Sequence, residues 1–253
     1  MNTIDLQKLA KEFQHIDQII ELVPVMQKMP VVEVAEILQS IDETYLLNVL
    51  DRFTMEQQGL IVAEFPMVKQ LNLFKVTSQK RFAKIFENMP SDNRADFFQH
   101  LTQQEQSLLL PYLSKKVRED VIALSAYPPE TAGGIMSTDF ATVQKNMRCD
   151  EAIEKVRNDA PSKKTIYYVY VVDAEQKLQG FVTLKDLIMA EPYQLVEQVL
   201  HTEFVFAYVD DDREKVAQQI EKYDLVAIPI LNREKQLVGI VTHDEAIDVI
   251  RAE

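Results

Sequence analysis

The stretch YVVDAEQKLQGFVTLKDL, residues 170–187, returns 59 residues later as PILNREKQLVGIVTHDEA, residues 229–246. Each copy runs from a strand into a polar turn, then into a second strand that opens on glycine, G-[FI]-V-T, and then into a helix. Glycine at the head of a strand suits a bend or a close approach that a side chain would obstruct. Tyr167–Val172 (YYVYVV), Phe181-Val182-Thr183 and Ile240-Val241-Thr242 are rich in β-branched and aromatic residues, as strands are. A helix is predicted ahead of each copy, over Asp150–Asn158 and Arg213–Tyr223. Two such units, neither able to close a core alone, are predicted to pack against each other.

Upstream of Tyr127-Pro128-Pro129 the pattern changes. Residues 1 to about 126 read as helix after helix, beginning with the polar MNTIDLQKLAKEFQ, which has no signal-peptide core. Within Val32–Phe53, Val34, Ile37, Leu38 and Ile41 share one face, and Leu46, Leu47, Val49 and Leu50 the next. Ala35, Ile37, Leu38 and Ile41 correspond to Ala83, Ile85, Phe86 and Met89 at a constant offset of 48. Short helices stacked in a superhelical array, each burying its apolar stripe on its neighbours, fit that repetition. Met26, Met29, Met55, Met67 and Met89 fall at apolar helical positions and read as core packing.

Composition removes several function classes. The net charge is −13, and both parts are acidic: 13 basic and 18 acidic residues up to Glu130, then 14 and 22. Nucleic acid needs a basic face and is an improbable partner. With five glycines there is no GxGxxG or GxxxxGK[ST] phosphate loop, and no GxSxG nucleophile motif. His15, His100, His201 and His243 lack zinc spacing, and the lone Cys149 reads as structural in a reducing compartment, or mildly activated by Arg148. No run of eighteen apolar residues is present, so no bilayer-spanning helix is expected. An enzyme is not expected.

The twice-repeated strand, D/N-x-E turn and G-h-V-T-x-x-[DE] resemble a tandem CBS pair. With the helical array and the joining segment YPPETAGGIMSTDF, the whole chain resembles the cytosolic part of an MgtE-type magnesium transporter. The implied fold is α+β multidomain: an all-α superhelical domain over residues 1–130, then CBS domains over residues 131–195 and 196–253. The implied setting is the cytoplasmic face of a membrane, with a membrane domain following in the full-length protein and a homodimer formed through the CBS domains. This sequence is then either part of a longer protein or a stand-alone relative.

Mg²⁺ takes oxygen ligands and keeps several waters, so its sites carry no tight signature. Asp92 and Asp96 lie four apart, hence on one helical face, where like charges repel unless neutralised. They also read as a cap, by Ser91 or Asp92, and a solvated Asp96. The resemblance implies the ligand role, because Asp92 and Asp96 match the outer aspartates of the family's P-x-D-D-x-x-D motif, with Asn93 in place of the middle one. On the CBS side it implies Mg²⁺ ligands at Asp212, Glu214, Asp224, Glu245 and Asp248, each of which also reads as a solvated acid. A Mg²⁺-sensing gate is the function implied. The runner-up is an adenine-nucleotide sensor acting on a partner protein. Gly180–Asp186 fits G-h-x-[ST]-x-x-D, whose aspartate suits paired ribose hydroxyls and whose Thr183 suits a phosphate. The resemblance adds Tyr168 and the strand at Leu225–Ala227 against the base of ATP. Helix capping by Asp186 is the alternative there.

Overall fold

The computed structural model describes residues 16–159 and 165–251. The helix expected over the first fourteen residues lies outside them. The chain divides into two compact units, Met1–Ile122 and residues 123–253.

The described residues of the first unit form helix after helix, and their period is finer than the sequence offset suggests. Helices Val31–Leu38, Glu43–Leu50, Met55–Ala63, Met67–Val76, Gln79–Glu87, Ser91–His100 and Gln103–Leu109 have N-caps at Pro30, Asp42, Thr54, Pro66, Ser78, Pro90 and Thr102, one every 12 residues. The next helix, Lys115–Leu124, follows Ser114 in the same rhythm. The offset of 48 is therefore four units. Seven residues after each cap an apolar side chain is buried: Ile37, Val49, Ile61, Leu73, Ile85, Phe97, Leu109 and Val121. Four residues after Thr54, Pro66, Pro90, Thr102 and Ser114, a polar side chain does a backbone job. Gln58 donates to the Phe53 carbonyl at 3.0 Å, Gln70 to Phe65 at 2.8 Å, Arg94 to Met89 at 3.0 Å, Gln106 to Leu101 at 3.3 Å and Arg118 to Leu113 at 2.9 Å. Each such bond satisfies a carbonyl in the tight connector between two helices, which burial would otherwise leave unmet.

Helices of seven to ten residues are marginal in water by themselves, so these depend on stacking. The array is pinned by aromatic contacts: Phe74–Phe82 at 5.0 Å, Phe82–Phe97 at 5.1 Å and Phe86–Phe97 at 6.0 Å between ring centroids. The core reading of the methionines holds for Met26 and Met89 but not for Met55, which is 42 % exposed. It sits at the first position of its helix, where the apolar stripe has not begun.

The second unit contains two three-stranded sheets of identical layout. In the first, β1 (Phe140–Val143) runs parallel to β2 (Thr165–Val172), which pairs antiparallel with β3 (Leu178–Thr183). In the second, β4 (Ala207–Tyr208), β5 (Ala227–Leu231) and β6 (Leu237–Thr242) do the same. The registers match at the 59-residue offset: Tyr168 faces Thr183 as Ala227 faces Thr242. Helices Cys149–Asp159 and Arg213–Tyr223 stand where the sequence puts them. Tyr170, Val172, Ala227, Leu231 and Ile240 form one buried cluster, with Tyr168 and Phe181 packed against it, so the two repeats do share a core.

The joining segment pairs with the second repeat. Ala132 donates to Asp211, Gly133 to Val209, and Ser137 exchanges two backbone bonds with Ile240 at 2.8 and 2.9 Å. Residue 201 plays the same part for the first repeat: His201 exchanges bonds with Phe181 at 2.9 and 3.1 Å. Gly180 and Gly239 lie beside these contacts. A Cβ on Gly180, at φ +152°, would fall 2.2 Å from the His201 carbonyl oxygen, and one on Gly239 would meet the Met136 side chain.

Candidate cation and nucleotide sites

Helix Ser91–His100 begins from Pro90 as N-cap, so neither Ser91 nor Asp92 caps it. Both lie inside the first turn, where the positive end of the helix dipole favours the Asp92 carboxylate. Asp96 follows one turn later and keeps an exposed face. Crowding by surrounding protein and then the charge of Asp92 push its carboxyl above the usual range, against a smaller opposing pull from His100. The His100 ring donates back to the Asp96 carbonyl at 2.7 Å. Burial first, and then the Asp92 charge one turn away, thus make the charged form of Asp96 less favourable.

In the second unit the acidic run Asp210–Glu214 is divided among local tasks. Asp210 pairs with Arg233 at 3.2 Å, and Asp211 accepts from the Tyr208 amide at 2.7 Å. Asp212 is the N-cap of helix Arg213–Tyr223, accepting from the amides of Glu214 at 3.0 Å and Lys215 at 3.1 Å. Asp224 closes the other end in the left-handed conformation, φ 50°. A helix of that length puts Asp212 and Asp224 about 18 Å apart, too far for one ion. Helix His243–Arg251 carries Glu245 in its first turn and Asp248, exposed, one turn on. The Glu245 carboxylate accepts from the Thr242 amide at 2.8 Å. Among the described residues no three His, Cys, Asp or Glu side chains converge as a metal cluster. The cation candidates among the described residues are therefore separate pairs and single groups.

The nucleotide candidates are brought together more tightly. Thr183 and Asp186 form a reciprocal capping box at the start of helix Leu184–Met189, so the capping reading of Asp186 is correct as local structure. The Asp186 oxygen Oδ2 accepts from the Thr183 amide at 2.8 Å, the Thr183 hydroxyl at 2.6 Å and His201 Nε2 at 2.9 Å. Partial burial works against its charge, but the Thr183 hydroxyl and amide and the His201 ring outweigh that and hold the carboxyl below its usual range. Tyr168 lies edge-on to Phe181 at 5.1 Å, and Phe181 stacks on His201 at 5.0 Å and 19°. Tyr168 and Ala227 meet at the shared core, while Leu225, half-buried, donates to the Ile220 carbonyl at 3.0 Å just before β5. Sequence reasoning missed Phe181 and His201. Phe181 lay inside the motif as its variable apolar position, and nothing in the sequence joins residue 201 to residue 186. Cys149 is buried and its thiol is pushed up by burial and by Asp150, so the activated reading falls.

Comparison with known proteins follows the same division. The MgtE intracellular N domain matches residues 29–130, and the CBS domain matches residues 132–193 and 196–252. A crystal structure of the cytosolic domain of the Mg²⁺ channel MgtE in complex with ATP is 30 % identical, covering 90 % of this chain and 98 % of that one, with a TM-score of 0.64. The chain belongs to the MgtE family. A crystal structure of the soluble part of a magnesium transporter superposes more fully, with a TM-score of 0.88 at 28 % identity over 99 % of both chains. Magnesium transporter MgtE of Thermus thermophilus is 30 % identical over 233 residues, 86 % of this chain and 52 % of that protein. This MgtE chain therefore spans about half the length of the curated relative it matches. It carries the MgtE N domain and CBS pair of a transporter family, which bears out the expectation that it is not an enzyme. No helix among the described residues is long and apolar enough to cross a membrane.

Proposed function

We propose that this chain is the Mg²⁺-sensing regulatory module of a magnesium channel or transporter. Asp92 and Asp96 of the helical domain and Asp212, Glu214, Asp224, Glu245 and Asp248 of the CBS pair would hold Mg²⁺ between the two domains. The observation that carries this is the placing of Asp92 and Asp96 one turn apart on one helix, where crowding by protein and then the Asp92 charge push the Asp96 carboxyl up, an unfavourable charge that a cation would offset. At high Mg²⁺ the ions draw the acidic faces together, and at low Mg²⁺ repulsion separates them. This is a population shift set by the difference in ion affinity of two states, transmitted to a membrane domain that follows the CBS pair. A homodimer through the CBS domains belongs to the same reading. Few carboxylates and many waters make the sites weak, on the order of millimolar.

Small-angle X-ray scattering of the chain, titrated with MgCl₂ at fixed ionic strength, tests it. Constant ionic strength removes general screening, whose length is about 8 Å at physiological salt. A radius of gyration that falls with Mg²⁺, and falls less in the Asp92→Ala, Asp96→Ala double variant, is expected. A profile unchanged to tens of millimolar would overturn the reading.

A second reading concerns the CBS cleft, as an adenine-nucleotide site. It is supported by an Asp186 carboxylate kept charged by Thr183 and His201 beside the rings of Tyr168 and Phe181, and by a related structure described in complex with ATP. Asp186 would take ribose hydroxyls, Thr183 a phosphate, and Tyr168, Leu225 and Ala227 the base. Calorimetric titration with ATP and AMP tests it, and no heat with either at millimolar nucleotide would refute it.

A further inference from the structure

We propose that His201 is a positioning residue of the nucleotide cleft, one that clamps a single oxygen of Asp186 and so sets how strongly the cleft discriminates ribose from deoxyribose. The inference rests on the nucleotide reading of that cleft. It begins with how the hydrogen bonds are distributed. The Thr183 amide, the Thr183 hydroxyl and His201 Nε2 all converge on Oδ2 of Asp186. Three donors within 2.9 Å exhaust one carboxylate oxygen. No hydrogen bond within the described residues goes to Oδ1, and the Asp186 side chain is 26 % exposed. The carboxylate therefore offers one oxygen, at a fixed angle, to whatever enters.

His201 is itself held rigidly. Its amide and carbonyl are both bonded to Phe181, and its ring lies flat on the Phe181 ring at 5.0 Å. Because a carboxylate can only accept, Nε2 carries the proton in this bond, which also fixes the ring. The ring is half exposed, so a ligand bonded to Asp186 lies within reach of it.

The fold alone does not call for histidine here. At the equivalent place in the other repeat Ser137 exchanges the same pair of backbone bonds, with Ile240 at 2.8 and 2.9 Å. Nor does the helix need it, since the Thr183–Asp186 capping box is complete without the imidazole. What the imidazole adds is the third donor on Oδ2. A residue that fixes the acceptor without being required by backbone or helix acts on the ligand through that acceptor.

Two substitutions separate the ring from its donor. His201→Phe keeps the stack on Phe181 and removes the N–H, whereas His201→Gln keeps an N–H donor and removes the ring. Each chain is titrated calorimetrically with ATP, 2′-deoxy-ATP and 3′-deoxy-ATP, and its melting temperature is recorded. The wild type is expected to prefer ATP about ten-fold or more over the analogue that lacks the hydroxyl on Asp186, the scale of a hydrogen bond to a charged acceptor. His201→Phe is expected to bring that ratio to within about three-fold with an unchanged melting temperature, and His201→Gln to restore part of it. A wild-type ratio retained in His201→Phe, or a Gln variant no better than the Phe variant, overturns the role of His201 while leaving the nucleotide reading standing. A wild type that binds none of the three nucleotides removes the nucleotide reading, and this inference with it.

Discussion

Gln70 and Arg94 occupy the same place in the helical array, two units apart, and make the same bond. Each reaches back five residues from the second turn of its helix to the carbonyl just before the cap, Phe65 at 2.8 Å and Met89 at 3.0 Å. Arg94 adds the Glu87 carbonyl at 3.2 Å and an ion pair with Asp120 at 3.0 Å. The shared bond makes the two side chains partly interchangeable. Arg94→Leu is expected to cost about 3 kcal/mol, from a buried connector carbonyl left unmet and a broken, largely buried pair. Arg94→Gln, which copies Gln58, Gln70 and Gln106 in other units, is expected to cost about half as much. Urea denaturation of both variants measures the difference, and equal losses would show that the carbonyl bond contributes nothing.

Asp96 releases its proton at a higher pH in the folded chain than its ordinary value of 3.8. The native state therefore binds more protons than the unfolded one across that interval. Stability tied to this group falls as pH rises from the unfolded value through the raised one, and the deficit is complete at neutral pH. Asp96→Asn is accordingly expected to raise the melting temperature at pH 7 by about 1–3 °C, and to have no effect at about pH 3. Scanning fluorimetry across that range checks both sign and window. MgCl₂ should raise the melting temperature of the wild type more than that of Asp96→Asn.

Asp212 has a structural task as well as a proposed ligand role, and one substitution separates the two. Asparagine caps helices as well as aspartate does, so Asp212→Asn keeps the acceptor for the Glu214 and Lys215 amides and loses only the charge. It is expected to leave stability within about 0.5 kcal/mol of wild type while weakening the Mg²⁺-driven compaction. Asp212→Ala should cost about 1 kcal/mol with or without Mg²⁺. Denaturation and scattering on the same two variants would reveal whether charge and cap act separately.

Gly180 and Gly239 occupy equivalent places and should respond differently to a methyl group. At Gly180 the added atom meets the His201 carbonyl, which is backbone, at a φ that L side chains avoid. At Gly239 it meets the Met136 side chain, which can swing aside. Gly180→Ala is expected to cost about 3 kcal/mol or more, and Gly239→Ala about 1 kcal/mol. Comparable losses in denaturant would contradict this account.

Much of this was readable in the sequence where a side chain's type dictates its own surroundings. The G-h-V-T motif sets two strands in the same register because β-branched residues alternate around a glycine, and the copies at 170–187 and 229–246 fold alike. The 12-residue unit was hidden because its fixed points are held by function rather than by residue type. Proline, aspartate, threonine and serine all serve as caps, and phenylalanine stands at position 82 where glutamine or arginine stands in neighbouring units. Only the offset between two unusually similar units was visible. Asp186 was found through its motif, whereas His201 acts across a turn of chain that no spacing rule connects. The acidic positions were legible as charges, but a charge does not disclose that Asp212 caps one end of a helix and Asp224 ends the other.

A helical array with one cap every 12 residues also obeys a grammar of length. Inserting or deleting a single residue inside one of these helices rotates the rest of that helix by about 100° and turns its apolar stripe outward. Inserting a whole unit adds another rung with its cap, its buried residue at the seventh place and its backward-reaching side chain. Such a ladder grows by duplication in steps of 12 and resists change in any other step. Its extent is thus a quantity that heredity can alter without redesigning a single contact.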